Sequence, residues 1–163
     1  MDLEQAVQEF GSSIVKYCYS LLLDYHEAQD AAQSVFLTIT EKPDSLRDNE
    51  KLAAWLYRIA HNICIDMLRR RRRAKLFLSQ ETVVSTESYV DHYNFGISGA
   101  LKTALNTLSP KDRALVYNRA VDEMDYLSME EIYGVKANTL RKRYERARKK
   151  LEKELGKGGS YCE

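Results

Sequence analysis

From Leu3 onward, apolar residues recur at alternating spacings of four and three: Leu3, Val7, Phe10, Ile14, Tyr17 and Leu21. That period lays one apolar stripe along a helix and fits no strand. A chain that opens this way must bury the stripe against further helices. The pattern continues downstream. Asp24 is an N-cap for a second helix whose apolar face is Ala28, Ala31, Ala32, Val35, Phe36 and Ile39, and Pro43 stops it. A polar, turn-rich loop spans 42–51. A third helix follows, with Leu52, Leu56, Ile59, Ile63 and Met67 as its buried stripe. Only two prolines and seven glycines occur in the chain, and nothing reads as a strand of any length. The expectation is an all-α fold: two small helical domains joined by a flexible linker, the second containing a helix-turn-helix.

The linker is where the period fails. Residues 79–98 are rich in Ser, Thr and Tyr, hold three acidic residues and contain no Lys or Arg. This sets the expected domains at 1–75 and 100–156, with a linker at 76–99 and a disordered tail at 157–163. Helical character returns with Leu101, Leu105 and Leu108, and Ser109 followed by Pro110 is a strong start signal. A short helix covers 125–133, where Glu130 and Glu131 read as partners of a helix N-terminus. Gly134 breaks it. The last helix, from Asn138, turns Leu140, Tyr144, Ala147, Leu151 and Leu155 inward.

Several function classes find no support. No run reaches the roughly 18 to 20 apolar residues of a membrane span. The acidic start "MDLEQAVQEF" has no signal-peptide core, so the cytoplasm is the expected location and membrane insertion is not expected. Cys18, Cys64 and Cys162 are odd in number and far apart, which argues against a disulfide framework. His61 and Cys64 are three apart, but a structural zinc site wants four ligands, so the plainer reading is one buried Cys and one ordinary His. No metal and no cofactor is expected. No phosphate-cradling glycine loop and no nucleophile–base pair is visible, so the chain is not expected to be an enzyme.

The formal net charge is +1, and it conceals a segregation. Residues 1–68 carry −6, residues 69–75 carry +6, residues 76–135 carry −5 and residues 136–163 carry +6. Two separated basic segments suit a polyanion touched at two places. In "DYLSMEEIYGVKANTLRKRYERARKK" a short helix, a turn at Gly134 and a basic helix make a helix-turn-helix. Its second helix would lie in the major groove. Asn138, Arg141 and Lys142 are the right types for base edges, and Arg143, Arg146, Arg148 and Lys149 for phosphates. On the third helix Trp55, Arg58, Asn62, Asp66 and Arg69 form a row opposite the apolar stripe, and the arginines run on past it. An aromatic, an amide and cations suit single-stranded nucleic acid. Asn62 could hydrogen-bond a base taken out of the stack, and Asp66 is either a base-edge acceptor or a partner for Arg69 or Arg70.

At these residues the chain resembles the extracytoplasmic-function sigma factors of bacterial RNA polymerase. "DYHEAQDAAQSVFLTI" resembles the polymerase-binding helix of that family, and "AAWLYRIAHNICIDMLRRRRR" its minus-ten recognition helix. The stretch from "LNTLSPKDRAL" to "RYERARKKL" resembles its minus-thirty-five domain. The resemblance implies a non-catalytic factor that directs core polymerase to promoters and promotes strand opening. Its expected partners are the polymerase core through β′ and β, promoter DNA and an anti-sigma factor. It implies polymerase contacts at Asp30, Gln33, Phe36 and Leu37, and single-strand contacts at Trp55, Arg58, Asn62, Asp66, Arg69 and Arg70. Lys136, Asn138, Thr139, Arg141, Lys142, Arg143, Glu145 and Arg146 would serve the minus-thirty-five element. Some positions depart from the family pattern: Ser34 for Glu, Glu123 for Gly, non-acidic Leu127 and Ser128, Lys136 for a small N-cap residue, and Lys142 for Ser. The competing expectation is a helix-turn-helix regulator that acts without being a polymerase subunit. It leaves the Trp55–Asn62 row without a purpose.

Overall fold

The computed structural model describes residues 2–44, 49–78 and 97–159, all helix and connecting turn. Helix α1 (Leu3–Leu22) starts on a reciprocal cap: Asp2 Oδ1 accepts the Gln5 N–H at 2.8 Å, and Gln5 Oε1 accepts the Asp2 N–H at 3.0 Å. It ends at Leu23, which takes the left-handed conformation at φ 50° and donates its N–H to the Tyr19 carbonyl at 2.8 Å. Helix α2 (Tyr25–Glu41) begins at once, because Asp24 caps the Glu27 N–H at 2.9 Å. Helix α3 (Asn49–Leu78) closes a three-helix unit. Its core is built from Ile14, Tyr17, Leu21, Val35, Ile39, Leu52 and Leu56, all essentially fully buried.

The second unit is α4 (Gly99–Asn106), α5 (Pro110–Ala120), α6 (Tyr126–Tyr133) and α7 (Ala137–Gly159). Ser109 caps α5 with Pro110 in its first turn. α7 lies across α4, α5 and α6, with Ala104, Leu108, Ala147 and Leu151 clustered at one end and Leu115, Met129 and Leu140 at the other. α6 and α7 form the helix-turn-helix.

The boundaries differ from the sequence reading in several places. α3 already includes Asn49–Lys51, assigned to the loop, and runs on to Leu78, past the expected domain end at 75. Residues 157–159, assigned to the tail, continue α7. The bulk of the expected linker, 79–96, lies outside the described residues, as do 45–48 and 160–163. The buried stripe of α3 is also rotated. Leu52, Leu56, Tyr57, Ala60 and Cys64 are buried, whereas Ile59, Ile63 and Met67 are half-buried, because a second set of helices covers the Tyr57 side. Leu155, expected inward, is 39% exposed.

The two units pack together, α1 against α5 and α3 against α6, with Ala114 and Ile132 joining the first core. One arginine organises the seam. α1 has no basic residue in its last turn to answer its terminal carbonyls. Arg113 of α5 does so from the other unit: its Nε donates to the Ser20 carbonyl and its Nη2 to the Leu21 carbonyl, both at 2.7 Å. Its Nη1 donates to the Leu108 carbonyl at 3.0 Å. Arg71 of α3 donates to the Leu22 carbonyl at 3.3 Å and pairs with Glu27. With the Tyr19 carbonyl taken by Leu23, each of the last four carbonyls of α1 has a donor.

Candidate nucleic-acid interface

α3 provides the first surface. Opposite its buried side, Arg58, Asn62, Asp66, Arg69 and Arg70 are exposed, and Trp55 is half-buried against the core. The row expected from the sequence therefore lies on one accessible side of one helix. Asp66 is the partner of Arg69, at 3.5 Å and with both side chains over 60% exposed, so the pair is weak and separable. The arginine run is not uniform: Arg71 turns back onto α1 and α2, while Arg69, Arg70, Arg72 and Arg73 face solvent.

α7 provides the second. Gly134, at φ 64°, ends α6 in the left-handed conformation that a side chain would strain, and donates to the Glu130 carbonyl at 2.8 Å. The Lys136 carbonyl then accepts the Leu140 N–H at 3.0 Å and opens α7. Lys136, Asn138, Thr139, Arg141, Lys142 and Arg146 are exposed, with Arg141 donating to Asn138 Oδ1 at 3.3 Å. Arg143 differs from expectation. Arg143 is half-buried and paired with Asp112 of α5 at 3.0 Å, so it fastens α7 to α5. Glu145 is half-buried and holds Arg148 at 3.1 Å.

A third surface is a groove of about 590 Å³ between α1 and α2, lined by Leu3, Val7, Val15, Gln33, Phe36 and Leu37. Asp30 and Gln33 are exposed beside it, and Leu37 is 62% exposed. Phe36 belongs to the apolar face of α2, as its spacing implies, and its buried side chain forms the groove's floor.

Sequence reasoning missed the seam. Across it run Tyr17, His61, Tyr133, Asn118, Asp122 and Tyr57. The Tyr17 hydroxyl lies 3.2 Å from His61 Nδ1 and 3.0 Å from the Tyr133 hydroxyl. Tyr133 donates to Asn118 Oδ1. Asp122 Oδ2 accepts from Asn118 Nδ2 at 3.2 Å and from the Tyr57 hydroxyl at 2.8 Å. One proton arrangement satisfies every link: His61 donates to Tyr17, Tyr17 to Tyr133, and Tyr133 to Asn118. Burial, with Lys111 and Arg143 nearby, holds the His61 imidazole down to about 4. Burial raises the Asp122 carboxyl against hydrogen bonds that lower it. Burial and the neighbouring Arg71 bring Arg113 down to about 10. His61 is thus no ordinary histidine, and both Cys18 and Cys64 are buried, with Cys64 held protonated by its hydrogen bond to Cys18 and by burial. One signal was available: Arg113, Val116 and Tyr117 share a helical face, an inward stripe that contains an arginine.

Comparison with known proteins matches residues 6–74 to sigma-70 region 2 and residues 98–151 to sigma-70 region 4. The ECF RNA polymerase sigma factor SigW of Bacillus subtilis is 28% identical, over 91% of this chain and 86% of that protein. The RNA polymerase sigma factor YlaC of the same organism is 25% identical, over 95% and 92%. Among solved structures, the sigma factor RpoE of Bartonella quintana, in complex with the anti-sigma factor NepR, superposes with a TM-score of 0.76 over 94% of this chain and 96% of that one. At 24% identity that likeness establishes the fold.

Proposed function

We propose how this chain, which belongs to the sigma-70 family as an extracytoplasmic-function RNA polymerase sigma factor, divides its task between its helices. It directs core polymerase to promoters. In our reading residues 1–75 bind core and capture the minus-ten strand, and residues 100–156 read the minus-thirty-five element. The observation that carries this is the accessible row on α3, where Asn62 is flanked by Arg58 and Trp55 on one side and the arginines on the other. Trp55 offers a ring at the start of strand separation, Asn62 an amide for an unstacked base, and Arg69 and Arg70 phosphate contacts. Asp66 releases Arg69 when a phosphate arrives. Capture of unpaired bases supplies the free energy of opening, so no catalytic step belongs to the factor itself, and it works in the cytoplasm where polymerase is.

Asp30, Gln33 and Leu37 meet the β′ subunit along the α1–α2 groove, with Phe36 as its floor. On α7, Asn138, Arg141 and Lys142 face base edges, Lys136, Thr139 and Arg146 support them, Glu145 shares their face while paired with Arg148, and Arg143 fastens the helix to α5 from behind. An anti-sigma factor is a further partner, by analogy with the sigma–NepR pair. The closed form cannot span a promoter. About 25 base pairs separate the two elements by their names, about 85 Å of duplex. α7 sits one packed helix away from α3, about 20 Å at ordinary interhelical distances. The seam must therefore part on polymerase.

Run-off transcription with core polymerase tests the reading, with promoters found by sequencing the transcripts. Factor-dependent initiation is expected. Duplex footprints without core, and no initiation with it, would instead establish a plain helix-turn-helix regulator. Asn62→Ala should cut open-complex formation about tenfold, equivalent to about 1.4 kcal/mol, with core binding unchanged. Unaltered opening removes Asn62 from the site.

A further inference from the structure

The recognition helix opens on a residue poorly suited to the position. Lys136 has no side-chain acceptor for the free N–H groups of the first turn, and its cation sits at the positive end of the helix dipole. The acceptor comes from elsewhere. Glu130, on α6, reaches across the turn and takes the Ala137 N–H on Oε1 at 2.6 Å. The same residue's carbonyl takes the Gly134 N–H at 2.8 Å. Glu130 therefore holds both ends of the 134–136 turn, and its carboxylate sits at the α7 N-terminus beside the lysine. Met129 next to it is fully buried with Leu115 and Leu140, which fixes the backbone from which Glu130 reaches.

We infer that Glu130 is a positioning residue for minus-thirty-five recognition. By fixing where α7 begins, it fixes the orientation of the first turn and hence which of Asn138, Thr139, Arg141 and Lys142 meets which base edge. It also leaves Lys136 free to extend outward, which an N-cap side chain bonded back to its own helix could not do. The phosphate contacts of later turns depend on it far less. This rests on the promoter reading above, since α7 must lie in a groove for its register to matter.

The test uses holoenzyme on the promoter recovered from the transcripts and on the same promoter with single substitutions across the minus-thirty-five element. If wild type shows no preference among these templates, the promoter reading of α7 fails. If wild type discriminates, the variants decide the role of Glu130. Glu130→Ala should reduce the discrimination ratio about fivefold, as loss of a cap would, while initiation driven from the minus-ten element alone is unchanged. Glu130→Gln keeps an acceptor oxygen and should hold the ratio within about twofold of wild type. Glu130→Asp keeps the charge, falls one methylene short, and should behave like the alanine variant, which covers the case of an alanine variant that does not fold. Equal loss on all templates, or full discrimination by Glu130→Asp, overturns the inference.

Discussion

The interior of the α1–α3 unit and the seam between the two units are held by different chemistry. Inside, contact is carbon on carbon: Ile14, Leu21, Val35, Ile39, Leu52 and Leu56 have almost no exposure. At the seam Ala114, Ile132, Ile97 and Met124 pack against the first core, and beside them contact runs through phenols, an imidazole, an amide, a carboxylate and a guanidinium. Water can replace a hydrogen-bond partner at a net cost of about 1 kcal/mol, whereas it gives an aliphatic side chain nothing in return. The interior is therefore the harder of the two to part. The reach from one promoter element to another proposed above would draw on that difference.

The largest expected effect lies inside. Leu56→Ala should cost about 2–5 kcal/mol in urea denaturation, since its neighbours cannot collapse into the space. A loss under about 1 kcal/mol would mean the interior is as yielding as the seam, and the contrast would be gone. Next comes Arg113→Met, which strands the Ser20 and Leu21 carbonyls only while the units are closed. Closure should weaken by about 2–3 kcal/mol, seen as a larger radius of gyration in small-angle scattering, with the α1–α3 unit still folded. Unfolding of that unit instead would show that Arg113 belongs to the interior.

The two regions were unequally legible in the sequence. Apolar period reports what a helix buries against apolar neighbours, so Ile14, Leu21, Leu52 and Leu56 were readable, as were caps such as Asp24, Ser109 and the glycine at 134. The exposed row on α3 was readable for the same reason, as the remainder once the stripe is assigned. The seam was not. Tyr57, His61 and Tyr133 fall between the stripes of their own helices, and their partners are far off in the chain: 65 residues separate Tyr57 from Asp122, and 116 separate Tyr17 from Tyr133. No local rule pairs a tyrosine with a hydroxyl at that distance. Glu130 shows the boundary. Its type suggested a helix N-terminus, but only the fold shows that the helix is the next one.

The smallest effect concerns pH, and its sign is set by two groups acting in opposition. In the closed form His61 titrates near 4 against an ordinary 6.5. Once the units part, Tyr133, Lys111 and Arg143 leave and the ring moves back toward its ordinary value. Between those limits the open form binds the proton more readily. Closure is therefore fully supported by His61 above about 6.5 and loses that support as pH falls toward about 4. Asp122 works the other way, because burial raises its carboxyl in the closed form, so acid favours closure through that group. His61 should dominate just below neutrality, where an ordinary carboxylate does not yet titrate. The radius of gyration should grow between pH 7 and about 5.5, by the equivalent of about 1 kcal/mol once partial exposure of the ring is allowed for. His61→Gln should abolish that growth and leave only the opposite trend of Asp122 at lower pH. If the variant opens over the same range as wild type, His61 is not what loosens the seam, and another group on it must be titrating.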